Sequence, residues 1–391
     1  MAHPTRLHLY RTAIPMRGFE HAAARRELAE AIVVRLEFDD ARVGWGETLP
    51  RPYVTGESLD SVVADLAEII WPSCRNAETT DGGFLPVPDD AGGPRCLNAA
   101  LCAYDLASLN RLLDDRGQVL PRVLDQIWGA DLAGSKGRGR STIDARVTGV
   151  LGSRDPARTA WRLRLMRWYG LRRFKLKLGL GDDVDRSNLD VVGRQIGGAL
   201  ASGRYRLRVD VNGGWKTADT PDRVAELARR GVCAVEQPVF CPAGELADLA
   251  RRCELPLIAD ESLLGDADAR ALLDEPQRVW WNIRLSKNGG LVRSLMLARL
   301  AEEHHVPYIL GCMVGESGIL SAAQRLALQW GMKPLEVEGN YGRFLLRDDL
   351  VTSSPRFGYA GRLKPLALAG LGVAVDLDKI ERYGTLVRTL T

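Results

Sequence analysis

From about residue 140 onward the chain alternates short apolar stretches with amphipathic helical runs, and this alternation limits its possible folds more than any other feature. Strands are predicted at 144–149, 173–178, 206–211, 232–236, 256–260, 279–285, 306–311 and 335–338. Their starts lie roughly 20 to 35 residues apart, which is room for one helix each. Helical runs such as Asp222 to Arg230 and Leu291 to Glu303 fill two of the gaps. Eight strands alternating with helices read as an α/β chain, a (β/α) barrel of the TIM type, while periodicity alone leaves a doubly wound sheet open.

The first third of the chain has a different rhythm. Leu7 to Tyr10, Ala31 to Leu36 and, after an Asp39-Asp40 turn, Val43-Gly44-Trp45-Gly46-Glu47 read as a small antiparallel sheet. Helical spacing follows at Ser58 to Ile70 and at Cys96 to Leu113. The sequence therefore predicts an N-terminal α+β capping domain over 1–133 and a barrel domain over 140–364. Asp81 to Pro94 is expected to be a loop, and Gly134 to Gly139 the linker between domains. The tail, about 365–391, is expected to return to the first domain along Gly370 to Asp376. The GxG at Gly370-Leu371-Gly372 lacks the rest of a dinucleotide fingerprint.

Composition removes several classes of partner. A net charge of only +3, scattered over 391 residues, leaves no basic stripe for nucleic acid. Seven cysteines show neither a CxxC pair nor zinc-like spacing, which suits a reducing, cytoplasmic setting. The segment Met1 to Phe19 lacks the apolar core of a signal peptide, and no run is apolar enough to predict a membrane span. A homo-oligomer is compatible with all of this. Only eight of the 53 cationic residues are lysines, so each lysine is a somewhat better functional candidate than it would be in a lysine-rich chain.

Acidic and lysine side chains gather at one end of the predicted barrel strands. In Phe174-Lys175-Leu176-Lys177, period-two alternation puts both lysines on one face. Side by side and partly desolvated, they are expected to have lowered pKa values suited to a base, although a surface KxK pair would look the same in isolation. Strand three ends in Asp210-Val211-Asn212, strand four in Glu236-Gln237-Pro238 and strand five in Asp260-Glu261. A lone strand-end Asp is often a helix cap. Three carboxylates on successive strands, 26 and 24 residues apart, can instead converge on one cation at the mouth where barrel enzymes place their sites. Oxygen-only ligands favour Mg²⁺ over Zn²⁺. The sixth strand ends in Asn282-Ile283-Arg284-Leu285-Ser286-Lys287-Asn288-Gly289-Gly290, and Lys287 is expected across the barrel from strand two.

The ordered set KLK (175–177), DVN (210–212), EQP (236–238), ADE (259–261) and NIRLSKNGG (282–290) resembles the muconate-cycloisomerase-like subgroup of the enolase superfamily. The resemblance covers essentially the whole chain, including the capping domain. It implies that Asp210, Glu236 and Asp260 ligate Mg²⁺, that Lys177 is the general base, that Lys175 tunes it, and that Lys287 acts from the opposite face. Asn212 and Glu261 match positions that orient ligands or lysines. The implied chemistry is removal of the proton α to a carboxylate, and stabilising the enolate is the demand a divalent cation meets.

Substrate contacts are less legible. Gly311-Cys312-Met313-Val314-Gly315-Glu316-Ser317 is one residue longer than the subgroup's GCMxES, and Glu316 reads equally as a substrate contact or a buried lysine partner. His304 and His305 precede their strand and are expected at the opposite face. Glu336-Val337-Glu338 stands where dipeptide epimerases of the family carry Asp-x-Asp to hold a substrate ammonium. Arg17, Arg51 and Tyr53 fall in the two capping-domain loops that close over the mouth in relatives. The first expectation is an isomerase that epimerises a dipeptide or an N-acyl amino acid, a small carboxylate in either case. Cycloisomerisation of a muconate-like diacid and succinylbenzoate-synthase-type dehydration need the same groups. A barrel that only binds carboxylates would be expected to have lost a ligand or a lysine, and none is lost.

Overall fold

The computed structural model describes residues 3–21, 24–76, 96–113, 142–366 and 369–391. The expected loop at 81–94 and linker at 134–139, with Lys136, lie outside these. Eight parallel strands form the larger sheet in chain order: β4 (Gly149–Leu151), β5 (Arg173–Lys177), β6 (Arg206–Asp210), β7 (Ala234–Glu236), β8 (Leu257–Ala259), β9 (Val279–Ile283), β10 (Tyr308–Leu310) and β11 (Glu336–Val337). The sheet closes on itself. Val147 bridges Val337 in parallel, and Thr148 N donates to Val337 O at 2.8 Å. The doubly wound alternative is thereby removed. The first strand lies later than the sequence suggested, at 149–151, with only isolated bridges at Arg146 and Val147.

The N-terminal sheet has the order β12-β1-β2-β3, from β1 (Pro4–His21), β2 (Ala24–Phe38), β3 (Val43–Thr48) and β12 (Gly384–Leu390). The tail does return, but the pairing is made by β12, with Leu7 opposite Leu390. Gly370 instead approaches Asn110 on the helix Asn98–Leu112, and Ala374 to Asp376 pair with Leu350 to Thr352. The apolar run Ala31 to Val34 in β2 is buried on both faces of this sheet. Ile32, Val34 and Leu36 pack on Val62, Leu66 and Leu101 of the cap helices, while Ala31 and Val33 join the core shared with the barrel. Gly44 and Gly46 let the same helix lie directly on β3. A Cβ at either position would stand 1.9 Å from the carbonyl oxygen of Ala107 or Ala103.

Carboxylates of the cap dock onto helix starts of the barrel, where backbone N–H groups lack intrahelical acceptors. Glu47 accepts from Ser317 N at 3.0 Å, Ser317 Oγ at 2.6 Å and Leu320 N at 3.1 Å, at the start of the helix Gly318–Gln329. Asp105 accepts from Leu291 N at 2.6 Å, at the start of the helix Leu291–Glu303. That helix is preceded by Gly290, which has φ 103° and no room for a Cβ beside the Asp105 carboxylate. Among the described residues no helix is long and apolar enough to cross a membrane.

Burial pushes the buried Glu47 carboxyl up to about 7 from 4.5, against the hydrogen bonds that favour its charge. A folded-state pKa above the unfolded one means that its contribution is complete below about 4.5 and is lost as pH rises through about 7. Relative to Glu47→Gln, the native chain should therefore lose stability across that window, by no more than about 3 kcal/mol. Thermal denaturation of both proteins from pH 4.5 to 8 checks this. A Tm difference that stays flat over that range would show that Glu47 docks already ionised at no cost.

Candidate active site

Strand register brings the predicted residues together. Lys177 pairs with Asp210 across β5 and β6, and Asp210 with Glu236 across β6 and β7. Asp260 follows β8 directly. Lys177 Nζ donates to Asp210 Oδ2 at 2.6 Å and to Asn212 Oδ1 at 2.9 Å. Asn212 Nδ2 in turn donates to Glu261 Oε1 at 3.4 Å. Lys175 Nζ donates to Glu338 Oε2 at 2.7 Å and to Glu236 Oε1 at 3.2 Å. The expectation that Lys175 has a lowered pKa is corrected here. Burial does pull it down, but Glu236, Glu338 and Asp210 outweigh burial and hold it well above the usual lysine range.

Two arginines that the motif reading passed over complete the cage. Arg208 is fully buried inside the barrel. It donates to Glu336 Oε2 at 2.9 Å, Glu236 Oε2 at 3.1 Å and Glu338 Oε1 at 2.8 Å. Arg284 donates to Glu236 Oε1 at 3.4 Å and, more closely, to Asp260 Oδ2. Both were legible by alternation. Arg208 stands two residues before Asp210, and Arg284 two after Asn282, whose amide donates to Glu236 Oε1 at 2.9 Å. Gln237 was also missed: its Oε1 accepts from Asp260 N at 2.9 Å, which ties the end of β8 to the end of β7.

A cavity of about 580 Å³ opens above these groups, lined among others by Lys175, Lys177, Arg284, Glu316 and Glu338. Of the capping-domain candidates, Arg17 and Tyr53 line it. Arg51 does not. It is buried, and its guanidinium donates to the backbone oxygens of Glu30, Pro50 and Val314. Glu316 accepts from Met313 N at 2.6 Å, and burial pushes it up to about 8. Glu336 sits below the cavity, held by Arg208 and by Thr148 Oγ1 at 2.8 Å. Both strand-eight carboxylates are therefore engaged by cations of the protein. His304 and His305 are exposed after the helix Leu291–Glu303, before β10, at the face expected for them.

Lys287 departs most from expectation. It is fully buried and absent from the cavity wall, and its Nζ donates to Asp260 O at 2.6 Å and Asn282 O at 2.8 Å. Burial lowers its pKa even against the Asp260 carboxylate.

The donor set fits a hard divalent cation. Asp210, Glu236 and Asp260 offer only oxygen; Glu261 Oε2 is buried without a hydrogen-bond partner, and Asp260 Oδ1 has only the Lys287 ammonium beside it, at 3.2 Å. Burial pushes Glu236 up to about 7 and Glu261 up to about 8, with neighbouring carboxylates adding to the rise. The three carboxylates do not yet converge on one point. Among the described residues no three His, Cys, Asp or Glu side chains form a ready metal cluster, and cationic groups of the protein stand against each of the three.

The chain matches the family described as enolase C-terminal domain-like over residues 158–379. Muconate cycloisomerase 1-2 of Acinetobacter lwoffii is 31% identical over 366 residues, 90% of this chain and 87% of that one. The N-succinyl-L-Arg/Lys racemase of Bacillus cereus is 28% identical over 331 residues, 82% of each chain. Among solved structures, the muconate lactonizing enzyme of Pseudomonas fluorescens complexed with muconolactone superposes with a TM-score of 0.82 at 22% identity, over 98% of this chain and 100% of that one.

Breaking the Arg208 cage should be costly, because Arg208→Met leaves Glu236, Glu336 and Glu338 buried without their shared cation. The expected loss is about 3–5 kcal/mol, read as a lowered Tm. An unchanged Tm would mean that the guanidinium does not hold the barrel interior together.

Proposed function

Because this chain belongs to the enolase C-terminal domain-like family of the enolase superfamily, whose relatives here are named racemases, epimerases and cycloisomerases, we propose that it is a Mg²⁺-dependent isomerase that removes the proton α to the carboxylate of a small organic acid. The observation that carries this reading is Lys177, a cavity-lining lysine hydrogen-bonded to Asp210 in a ring of strand-end carboxylates. Asp210, Glu236 and Asp260 would hold the cation, which when bound offsets the negative charge that the substrate carboxylate gains as the proton leaves.

The remaining steps belong to the chain. Lys177, once it has given up a proton to solvent and its hydrogen bond to Asp210 is released, takes the α-proton at Nζ, and Asn212 keeps that nitrogen aimed at the cavity. Lys175, held cationic by its carboxylates, lies beside it as a fixed positive charge. Arg17 and Tyr53 from the cap close over the mouth and meet the distal part of the substrate. Since Glu336 and Glu338 are already paired, a free substrate ammonium finds no open carboxylate on strand eight. That supports an N-acylated or amine-free acid over a dipeptide with a free amino terminus.

Asp210→Asn, Glu236→Gln and Asp260→Asn should each abolish Mg²⁺ binding in calorimetry while keeping the far-UV spectrum of a folded barrel. Lys177→Ala should bind Mg²⁺ normally and lose α-proton exchange in D₂O by a factor of at least about 10². Retained Mg²⁺ affinity in all three carboxylate variants would remove the proposed metal site.

A further inference from the structure

The cavity over Lys177 extends sideways, past the ring of strand ends. Gly152, at φ 136°, has no room for a Cβ beside Lys177 Cβ, so the chain leaving β4 lies directly against Lys177. Three residues on, Asp155 Oδ1 accepts from Ala157 N at 2.9 Å and caps the helix Pro156–Trp168. Arg158, Arg162, Leu165, Met166 and Trp168 of that helix line the cavity, as do Tyr341, Phe344 and Phe357 from the chain after β11. Tyr169 joins the two sides, with its ring 6.1 Å from Phe344 and 5.9 Å from Phe357, and Phe344 stacks on Phe357 at 5.1 Å. The buried Leu171 and Phe357 form the floor of this side arm, and the exposed Arg158 and half-buried Arg162 stand at its rim.

The side arm has cations and no anion to meet them. Among the described residues, the carboxylates in the cavity wall are Glu261, Glu316 and Glu338, and each sits just past the end of a barrel strand, away from this helix. Elsewhere on the barrel exterior arginines find carboxylates, as Arg223 does with Asp182 and Arg230 with Asp190. Arg158 and Arg162 have neither an ion pair nor a side-chain hydrogen bond among the described residues. Four residues apart on one helix, they lie about 6 Å from each other along its axis and repel. Burial pulls Arg162 below the ordinary arginine value, and the charge on Arg158 adds to the drop. A ligand anion between the two guanidinium groups would turn that repulsion into attraction, since each offers a planar fork of donors.

Building on the reading of Lys177 as the base, we propose that this side arm is a second recognition site, and that the substrate carries an apolar arm ending in a carboxylate held between Arg158 and Arg162. The reacting end stays over Lys177, while the arm lies on the floor made by Leu171 and Phe357, beside Met166 and Tyr169. Those side chains offer the middle of the arm no charged partner, so its polar atoms belong at its two ends. The size of the cavity agrees with an extended ligand: 580 Å³ falls in the range that encloses a drug-sized molecule. Arg158 and Arg162 select the substrate and take no part in moving the proton.

Calorimetry in Mg²⁺ buffer tests this with N-suberyl-alanine and N-octanoyl-alanine, two probes of one chain length that differ only in a terminal carboxylate or methyl group. The suberyl probe should bind at least about tenfold more tightly, and ionic strength near about 1 M should shrink that preference. Arg158→Gln and Arg162→Gln should each reduce the preference, and the double variant should bring the two affinities together. Neither variant should lower Tm, because each relieves a repulsion and breaks no ion pair. Where the α-proton of the suberyl probe exchanges in D₂O, the double variant should raise KM far more than it changes kcat, the split expected of a group that binds away from the reacting atoms. Equal affinity for the two probes in the native protein, binding of neither, or a preference that survives in the double variant would overturn the proposal. A preference that depends on the two arginines, without α-proton exchange, would uphold the second recognition site and count instead against Lys177 as the base.

Discussion

The interior of the barrel is organised around a buried guanidinium. Arg208 rises from β6 and is shared by Glu236 on β7 and by Glu336 and Glu338 on β11 and just beyond it, so one side chain links three parts of the cylinder. Taking such charges out of water is expensive, and partial removal is worse than complete removal, because each member left behind has no solvent to turn to. This constraint propagates upward. Glu338 and Glu236, fixed from below by Arg208, hold Lys175 from above, and Lys175 lies 3.4 Å from Asp210. The position of Lys177 therefore depends on a charge network that begins one layer deeper.

A second constraint sets how the site is covered. The cap is attached through hydrogen bonds from barrel helix starts to Glu47 and Asp105, and through Asn98 and Thr48 to the turn after β9. The same contacts that seat the cap thus immobilise the turn carrying Lys287 and leave Arg284 facing the cavity. Arg51 belongs to this system as well. It binds the backbone of the loop after β10 through Val314 O, which explains why a loop arginine that looked available to substrate is buried. Among the described residues, Arg17 and Tyr53 are the cap side chains in the cavity wall.

Much of this was readable from the chain. The strand-helix repeat gave the barrel, and seven of the eight strands fall within the stretches predicted for them. The first was misplaced because the predicted stretch falls on Arg146 and Val147, which make only isolated bridges, while the ladder to β5 begins at Gly149. Alternation in KLK put both lysines on one face, and the structure has both in the cavity wall. The same rule, applied to Arg208 and Arg284, would have found them. They were overlooked because arginine is the common surface cation of this sequence and gave no compositional contrast.

What the sequence determined by itself is local: the order of strands and helices, the strand-end position of each carboxylate and the shared face of Lys175 and Lys177. These follow from periods of two and of about 3.6 residues, which act between near neighbours in the chain. Only the tertiary structure decided which cation meets which carboxylate. Lys175 and Glu338 are 163 residues apart, and Arg208 and Glu336 are 128 apart. Such pairs are chosen when the sheet closes and every buried charge must find a partner among the side chains that closure brings within reach. Closure likewise turned Lys287 toward backbone carbonyls, because an ammonium sealed beneath Asp260 has those oxygens as its nearest acceptors.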